Sequence, residues 1–273
     1  MIRLSGITTR VGSRPGALAA SAVLLAACAA SPRESDTMQD PAPGAGASAA
    51  AAGATNSTQA AAAPGADGWT ALFDGTDLRA WRGYRSERPP ASWRVQDGTL
   101  AFVKDSAGRG DLVSREQYGD FELELEWRIS PGGNSGIFYR GTEEGRSIYE
   151  TAPEMQVLDN TRHVDGRNPL TSAGANYALH APVRDVTRPV GEWNQVRLVA
   201  RGPHVEHWLN GVKVVEYEQG SADWQARVAA SKFAPLPGYG RQLRGHIVLQ
   251  DHDDAVWYRN VRVRRLDAPA PAR

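Results

Sequence analysis

Residues 121–127, Phe121-Glu122-Leu123-Glu124-Leu125-Glu126-Trp127 (FELELEW), place a large apolar side chain at every odd position and a glutamate between each pair. The period is two, that of a strand, in which successive side chains point to opposite faces. Phe121, Leu123, Leu125 and Trp127 therefore share one face and the three glutamates the other. Moving outward, SGIFYR (135–140), EMQVL (154–158) and NQVRLVA (194–200) show the same short alternation, bounded by Gly, Pro, Asn or Asp. HVEHWL, Asn210-Gly211 and VKVVEY form a two-residue hairpin, because Asn-Gly tolerates the left-handed conformations of a type I′ turn. GHIVLQ and VWYRNVRVRRL add two more strands near the end. The one modest helical segment is ADWQARVAA (222–230), after a Gly-Ser turn. At least ten strands without an internal repeat predict an all-β, two-sheet sandwich over residues 67–270.

The first quarter differs in composition. Residues 1–28 carry Arg3, Arg10 and Arg14, then the apolar run ALAASAVLLAAC, a secretory signal too short to span a bilayer stably. It ends Leu25-Ala26-Ala27-Cys28, which resembles a bacterial lipobox with Cys28 as the lipidated residue. Cys28 is the only cysteine, so a disulfide framework is excluded. Residues 29–66 are rich in Ala, Gly, Ser and Pro and hold no aromatic residue, which predicts a disordered tether. The layout predicts a cell-envelope protein that meets the membrane only through a lipid anchor, with Ala29 after the cysteine resembling outer-membrane sorting. Lys plus Arg and Asp plus Glu each number 31, so no net field draws the chain to nucleic acid.

APEMQVLDN (152–160) poses the functional question. Met155 and Val157 belong on one strand face, Glu154 and Gln156 on the other, beside further polar residues. In LQDH (249–252), Gln250 and His252 likewise oppose Leu249. If these strands share a sheet, Glu154, Gln156, Gln250 and His252 line one polar surface, joined by Arg140 of GIFYR and Lys232 of SKF. A wet outer face and the floor of a cleft fit this pattern equally. PGGNSG (131–136) lacks the Gly-Lys-Ser/Thr ending and precedes a strand, so it is no nucleotide loop. The six histidines show no HExxH spacing, and no G-x-S-x-G elbow offers a serine nucleophile. Among Trp81, Trp93, Trp127, Trp193, Trp208, Trp224 and Trp257, alternation among apolar residues points to core packing rather than to sugar platforms.

Together, YGDFELELEWRISPGGNSGIFYRG, YETAPEMQVLDN, AGANYALHAP, GEWNQVRLVARGPHVEHWLNGVKVVEYE and GHIVLQDHDDAVWYRNVRVRRL resemble the 3-keto-disaccharide hydrolase domain family, in order from Gly68 to Leu266. The resemblance implies a concanavalin A-like jelly-roll and activity on glycosides already oxidised at C3 by a separate oxidoreductase. A C3 ketone acidifies the hydrogen on C2. A base can then form an enolate, the C1 substituent can leave, and water can add. Such a route needs a base, an acid and a stabiliser of the enolate oxygen, not the paired carboxylates of ordinary glycosidases. Glu154, His252 and Lys232 are candidates for base and acid, with the base left open among them. Asn134, Arg140, Gln156, Tyr177 and Gln250 are the implied substrate-binding set. A divalent metal could polarise the ketone, with Asp159, His163 and His252 as its first ligands. Where the family reads LQDHG, this chain has Asp253, which adds a charge at a position expected to need a positive φ. The competing expectations are a non-catalytic carbohydrate-binding module on the same sandwich and an adhesive envelope lipoprotein.

Overall fold

The computed structural model describes residues 64–104 and 107–266. The signal segment, Cys28 and nearly all of the tether lie outside the described residues, as do residues 267–270 at the expected end of the domain. Among the described residues no helix is long and apolar enough to cross a membrane.

Among the described residues thirteen strands form two antiparallel sheets. The smaller runs β2 (Trp81–Gly83), β5 (Leu112–Tyr118), β12 (Gly245–Leu249), β7 (Asn134–Gly141), β8 (Glu154–Leu158). The larger runs β11 (Val212–Glu218), β10 (His204–Leu209), β9 (Asn194–Arg201), β6 (Phe121–Ile129), β13 (Val256–Arg265), β4 (Thr99–Phe102), β3 (Trp93–Gln96). β1 (Trp69–Phe73) pairs separately with β13. This is a jelly-roll sandwich, and the period-two pattern explains it. Phe121, Leu123, Leu125 and Trp127 enter the core between the sheets, against Met155 and Val157 of β8. Burying such side chains removes about 1.5–3 kcal/mol of unfavourable hydration each, which makes the alternation decisive for the fold.

On the outer face of the larger sheet, β6 and β13 face each other in a charge ladder. Glu126 opposes Arg259, Glu124 opposes Arg262, and Glu122 opposes Arg264. The ladder survives a bulge at Asn260, whose φ of 52° inserts one residue and lets Val256 and Tyr258, then Val261 and Val263, all point inward. The hairpin β10–β11 turns through Asn210 (φ 49°) and Gly211 (φ 80°), as its sequence requires. The helical segment is α1 (Ala222–Ala229), whose Ser221 hydroxyl accepts the Trp224 N–H at 3.2 Å.

The tryptophans divide. Trp81, Trp93, Trp127 and Trp224 are core residues. Trp193, Trp208 and Trp257 instead sit on the larger sheet's outer face as planar rests for Arg128, Arg197 and Arg259. An indole covered by a guanidinium keeps its apolar body shielded without entering the core.

Candidate active site

The smaller sheet's outer face carries the site, and its register can be followed row by row. Val113, Val248, Phe138 and Glu154 lie side by side across β5, β12, β7 and β8. Continuing the pairing past Leu112 and Leu249 puts Asp111 beside Gln250, Gln250 beside Gly136, and Gly136 beside Gln156. The Gln250 N–H donates to Gly136 O at 2.9 Å, which fixes this row. The next residues outward are His252 and Asn134, whose Nε2 and Nδ2 are 3.4 Å apart. Over this floor close the 147–152 segment, with Ser147, Ile148, Tyr149 and Ala152, and the side chains of Tyr177, Lys232 and Phe233. The open cleft measures about 400 Å³.

Glu154 is the unusual group. It is 7% exposed, and among the described residues its carboxyl has no hydrogen-bond partner. It can lie flat over β7 only because residue 136 is glycine, since a Cβ there would overlap its Oε1. Burial pushes its carboxyl up to about 8; the Lys232 charge opposes this, and the charges of Asp111 and Asp165 add to it. Lys232 sits with its ammonium 4.1 Å from the centre of the Tyr177 ring. Burial lowers its proton affinity, against the pull of Glu154 and Asp165. Tyr177 donates its hydroxyl to Asp165 Oδ2 at 3.2 Å. Two amide oxygens, Asn134 Oδ1 and Gln250 Oε1, are buried in the lining without a partner. Buried polar atoms normally find partners, so these oxygens are positioned for a donor that comes from outside the chain, such as a sugar hydroxyl.

The structure brings Asn134, Glu154, Gln156, Tyr177, Lys232, Gln250 and His252 to one cavity. It corrects the expectation for Arg140. β7 has one residue more than β12 between Phe138 and Gly141, and Arg140 (φ 55°) occupies that bulge. Its side chain therefore leaves the cleft face and is fully buried. It donates to Gly202 O (2.7 Å), Gln219 Oε1 (2.9 Å) and Gly119 O (3.2 Å), tying three turns together. Asp159 and His163 are also corrected. Asp159 spends its oxygens on the N–H groups of Gly132 (2.7 Å) and Thr161 (2.9 Å) and on the Thr161 hydroxyl (2.6 Å). His163 Nδ1 accepts the Asp165 N–H at 3.1 Å, capping the 3₁₀ turn at 164–167. These two and His252 do not converge as a metal-binding group. Among the described residues the one convergent His/carboxylate trio is His204, Glu206 and Glu216 on the β10–β11 hairpin. There the Lys213 ammonium already bridges the two acids, at 3.2 and 2.7 Å.

Asp253 has φ 69°, the positive value its position was expected to need, and it pairs with Arg109. Sequence reasoning missed Asp111, Asp251 and Tyr149. Asp111 stands one residue before a strand after Gly110, an unremarkable place until the β5–β12 register sets it beside Gln250.

Fold and cleft together define a class: a jelly-roll sandwich whose smaller sheet carries a buried carboxyl and a lysine in a polar, ring-lined pocket. More narrowly, the chain belongs to the 3-keto-alpha-glucoside-1,2-lyase-like domain family, whose profile matches residues 68–264. A 3-keto-disaccharide hydrolase of Bacteroides thetaiotaomicron is 37% identical over 231 residues, covering 74% of this chain and 80% of that protein. A crystal structure from Parabacteroides distasonis, provisionally named a glycosyl hydrolase, superposes with a TM-score of 0.68 at 31% identity. It covers 78% of this chain and 98% of its own. A second structure from that organism gives 0.57 at 28% identity, covering 72% and 99%.

Proposed function

We propose that this protein cleaves the glycosidic bond of 3-keto-disaccharides by removal of the C2 hydrogen, elimination of the C1 substituent and addition of water. One observation carries the reading: a buried carboxyl without a hydrogen-bond partner, Glu154, beside the Lys232 ammonium on the cavity floor. A carboxyl held up to about 8 is protonated at neutral pH, and an acid whose proton affinity lies near the working pH transfers protons effectively. Glu154 delivers its proton to the departing glycosidic oxygen. Lys232 compensates the charge that gathers on the C3 oxygen as the enolate forms, and the low dielectric of the pocket strengthens that interaction. Asn134 and Gln250 accept sugar hydroxyls at their open oxygens. Gln156 is mainly structural, because its Nε2 donates to Thr171 O at 3.2 Å. His252 closes the rim. The 37% identical relative bearing the 3-keto-disaccharide hydrolase name supports the substrate class.

The test incubates the full-length protein with a 3-keto-disaccharide and with its unoxidised parent, and follows the released sugar. Cleavage of the keto sugar alone is expected. Cleavage of both would make the protein an ordinary glycosidase and remove the need for an enolate. Cleavage of neither would leave a binding module. The reading also places the protein in the cell envelope through a lipid on Cys28, downstream of an oxidoreductase that introduces the ketone. Incorporation of labelled palmitate, lost in Cys28→Ser, tests the anchor.

A further inference from the structure

The cavity holds a second carboxyl that the reading above does not use. Asp111 lines it from the head of β5. Its Oδ1 accepts the N–H of Asp251 at 3.0 Å, and its other oxygen has no protein partner among the described residues. The Asp251 carboxylate is engaged elsewhere, by the Arg109 guanidinium and by the Gly110 N–H at 2.8 Å. The Asp251 N–H therefore points at Asp111 from a clamped turn. The row register fixes where Asp111 faces. Because the Glu154 carboxyl lies over Gly136, the two acids occupy one row, Asp111 at the entry to β5 and the Glu154 head above β7, with Gln250 of the β12 exit between them. Two strand spacings put their backbone supports roughly 10 Å apart. Both carboxyls rise from the same face of the sheet, so a sugar ring resting over Gln250 meets both acids.

The two carboxyls differ in their donors. Asp111 receives a backbone N–H, which favours the charged form, whereas Glu154 receives none, which favours the neutral form. We propose that Asp111 is the base that takes the hydrogen from C2, while Glu154, two strands along the same row, supplies the proton to the leaving oxygen. This rests on the reading of the cavity as a 3-keto-glycoside site. The electrons balance as follows. The Asp111 carboxylate takes H2 as a proton, and the C2–H pair becomes the C2–C3 double bond of an enolate whose oxygen faces Lys232. That pair then forms C1=C2 and expels the glycosidic oxygen, which takes the Glu154 proton. Water adds its oxygen to C1, giving a proton to Glu154, while Asp111 returns its proton to C2. Both acids end as they began, and the sum is hydrolysis. The surrounding charges agree with this division. Burial and the Asp251 charge raise Asp111 to about 6, against the pull of the Asp251 N–H, and burial raises Glu154 to about 8. At neutral pH the first is a carboxylate and the second an acid. Of the other titratable groups at the cavity, Lys232 and Tyr177 stand beside Glu154, Asp251 is held by Arg109, and Tyr149 and His252 are exposed at the rim.

The test separates deprotonation from departure. 1,5-Anhydro-3-keto-glucitol has no group to lose at C1, so only its α-hydrogens can exchange. The full-length protein is placed with it in D2O, and H2 and H4 are followed by proton NMR. Wild-type protein is expected to exchange H2. Asp111→Asn should slow this exchange at least about 100-fold, and Glu154→Gln should leave it within about threefold while losing disaccharide cleavage. Exchange that persists in Asp111→Asn overturns the assignment. So does exchange abolished in Glu154→Gln, a result that stands whether or not the Asp111 variant folds. Wild-type protein that neither exchanges H2 nor cleaves would overturn the underlying reading of the cavity, and the assignment with it.

Discussion

The two outer faces of the sandwich use polar residues in opposite ways. On the larger sheet, charge is dense and paired. Glu124 meets Arg262 and Glu126 meets Arg259, each at 2.6 Å, and Glu122 is shared by Arg197 and Arg264. The guanidiniums rest on indoles, Arg259 at 4.2 Å from Trp193 and Arg262 at 4.6 Å from Trp69. Burial alone would raise the Glu122 carboxyl, but the bonds and charges of its two arginines outweigh that and hold it below its ordinary range. On the smaller sheet, three groups of the cleft lack partners among the described residues: the Glu154 carboxyl, Asn134 Oδ1 and Gln250 Oε1. The larger sheet also has the larger hollow, about 720 Å³ against 400 Å³, and ion-paired side chains such as Glu124, Arg262 and Arg197 line it. Volume alone would not choose the cleft, since a hollow of about 760 Å³ beside α1 exceeds both. What chooses the cleft is a pair of open amide acceptors beside a carboxyl that burial holds up to about 8, instead of one that arginines neutralise.

The sharpest way to break this comparison is Glu154→Gln, which keeps the shape and removes the proton. Turnover of a 3-keto-disaccharide should fall by about 10²–10⁴-fold, the usual contribution of a positioned acid or base. Stability should move the other way at high pH. The folded carboxyl sits at about 8, above its ordinary 4.5. Its contribution to stability is therefore complete below about 4.5 and is lost as pH rises through 8, because ionising the buried group opposes folding. Urea unfolding at pH 5 and pH 9 should show a smaller loss of stability in the variant than in wild type. An equal loss would mean that Glu154 is already ionised in the folded protein.

Gly136→Ala should come next, at about 100-fold in kcat/KM, the scale on which small misplacements act. The new methyl group takes the space that Glu154 Oε1 occupies, so the carboxyl must lift off β7. A near-normal rate would show that the seat over Gly136 is not the working position. A smaller effect is the pH dependence. With Asp111 required as carboxylate (about 6) and Glu154 as acid (about 8), wild-type kcat/KM should plateau near pH 7. It should fall about tenfold per unit below 6 and above 8. A rate that keeps rising past pH 9 would exclude Glu154 as the proton donor.

Much of this was legible in the chain because period-two patterning is a local signal. FELELEW and EMQVL each assign their own two faces, and the polar face of β8 follows from Met155 and Val157 seeking the core. Register is not local. Asp111 joins the site only through pairing with a strand more than a hundred residues away. Arg140 leaves it through a one-residue bulge that no alternation count reveals, since a bulge reverses every assignment beyond it. The metal ligands failed for a related reason. Asp and His near a strand end are equally apt for capping turns, and Asp159 and His163 do that. The outward tryptophans of β10 and β13 were legible too: Trp208 is out of phase with Val205 and Leu209, and Trp257 with Val256 and Tyr258, so strict alternation turns both away from the core, where guanidiniums cover them.

The weakest expected effect closes the comparison from the other face. Glu124→Ala removes one rung of the charge ladder. Glu124 and Arg262 are both partly exposed, so the pair is worth about 0.5 kcal/mol, the typical size for solvent-screened ion pairs. For a domain of this size that is about 1–2 °C in Tm, and raising the salt concentration should shrink the difference further. Glu122→Ala should cost more, because Glu122 is 5% exposed and its loss strands two guanidiniums. Neither change should alter kcat/KM by more than about twofold, since the core lies between this face and the cleft. If Glu124→Ala did slow turnover, the larger sheet would have to reach the substrate or transmit strain through the core. The division between a face that stabilises and a face that reacts would then fail where it is most easily tested.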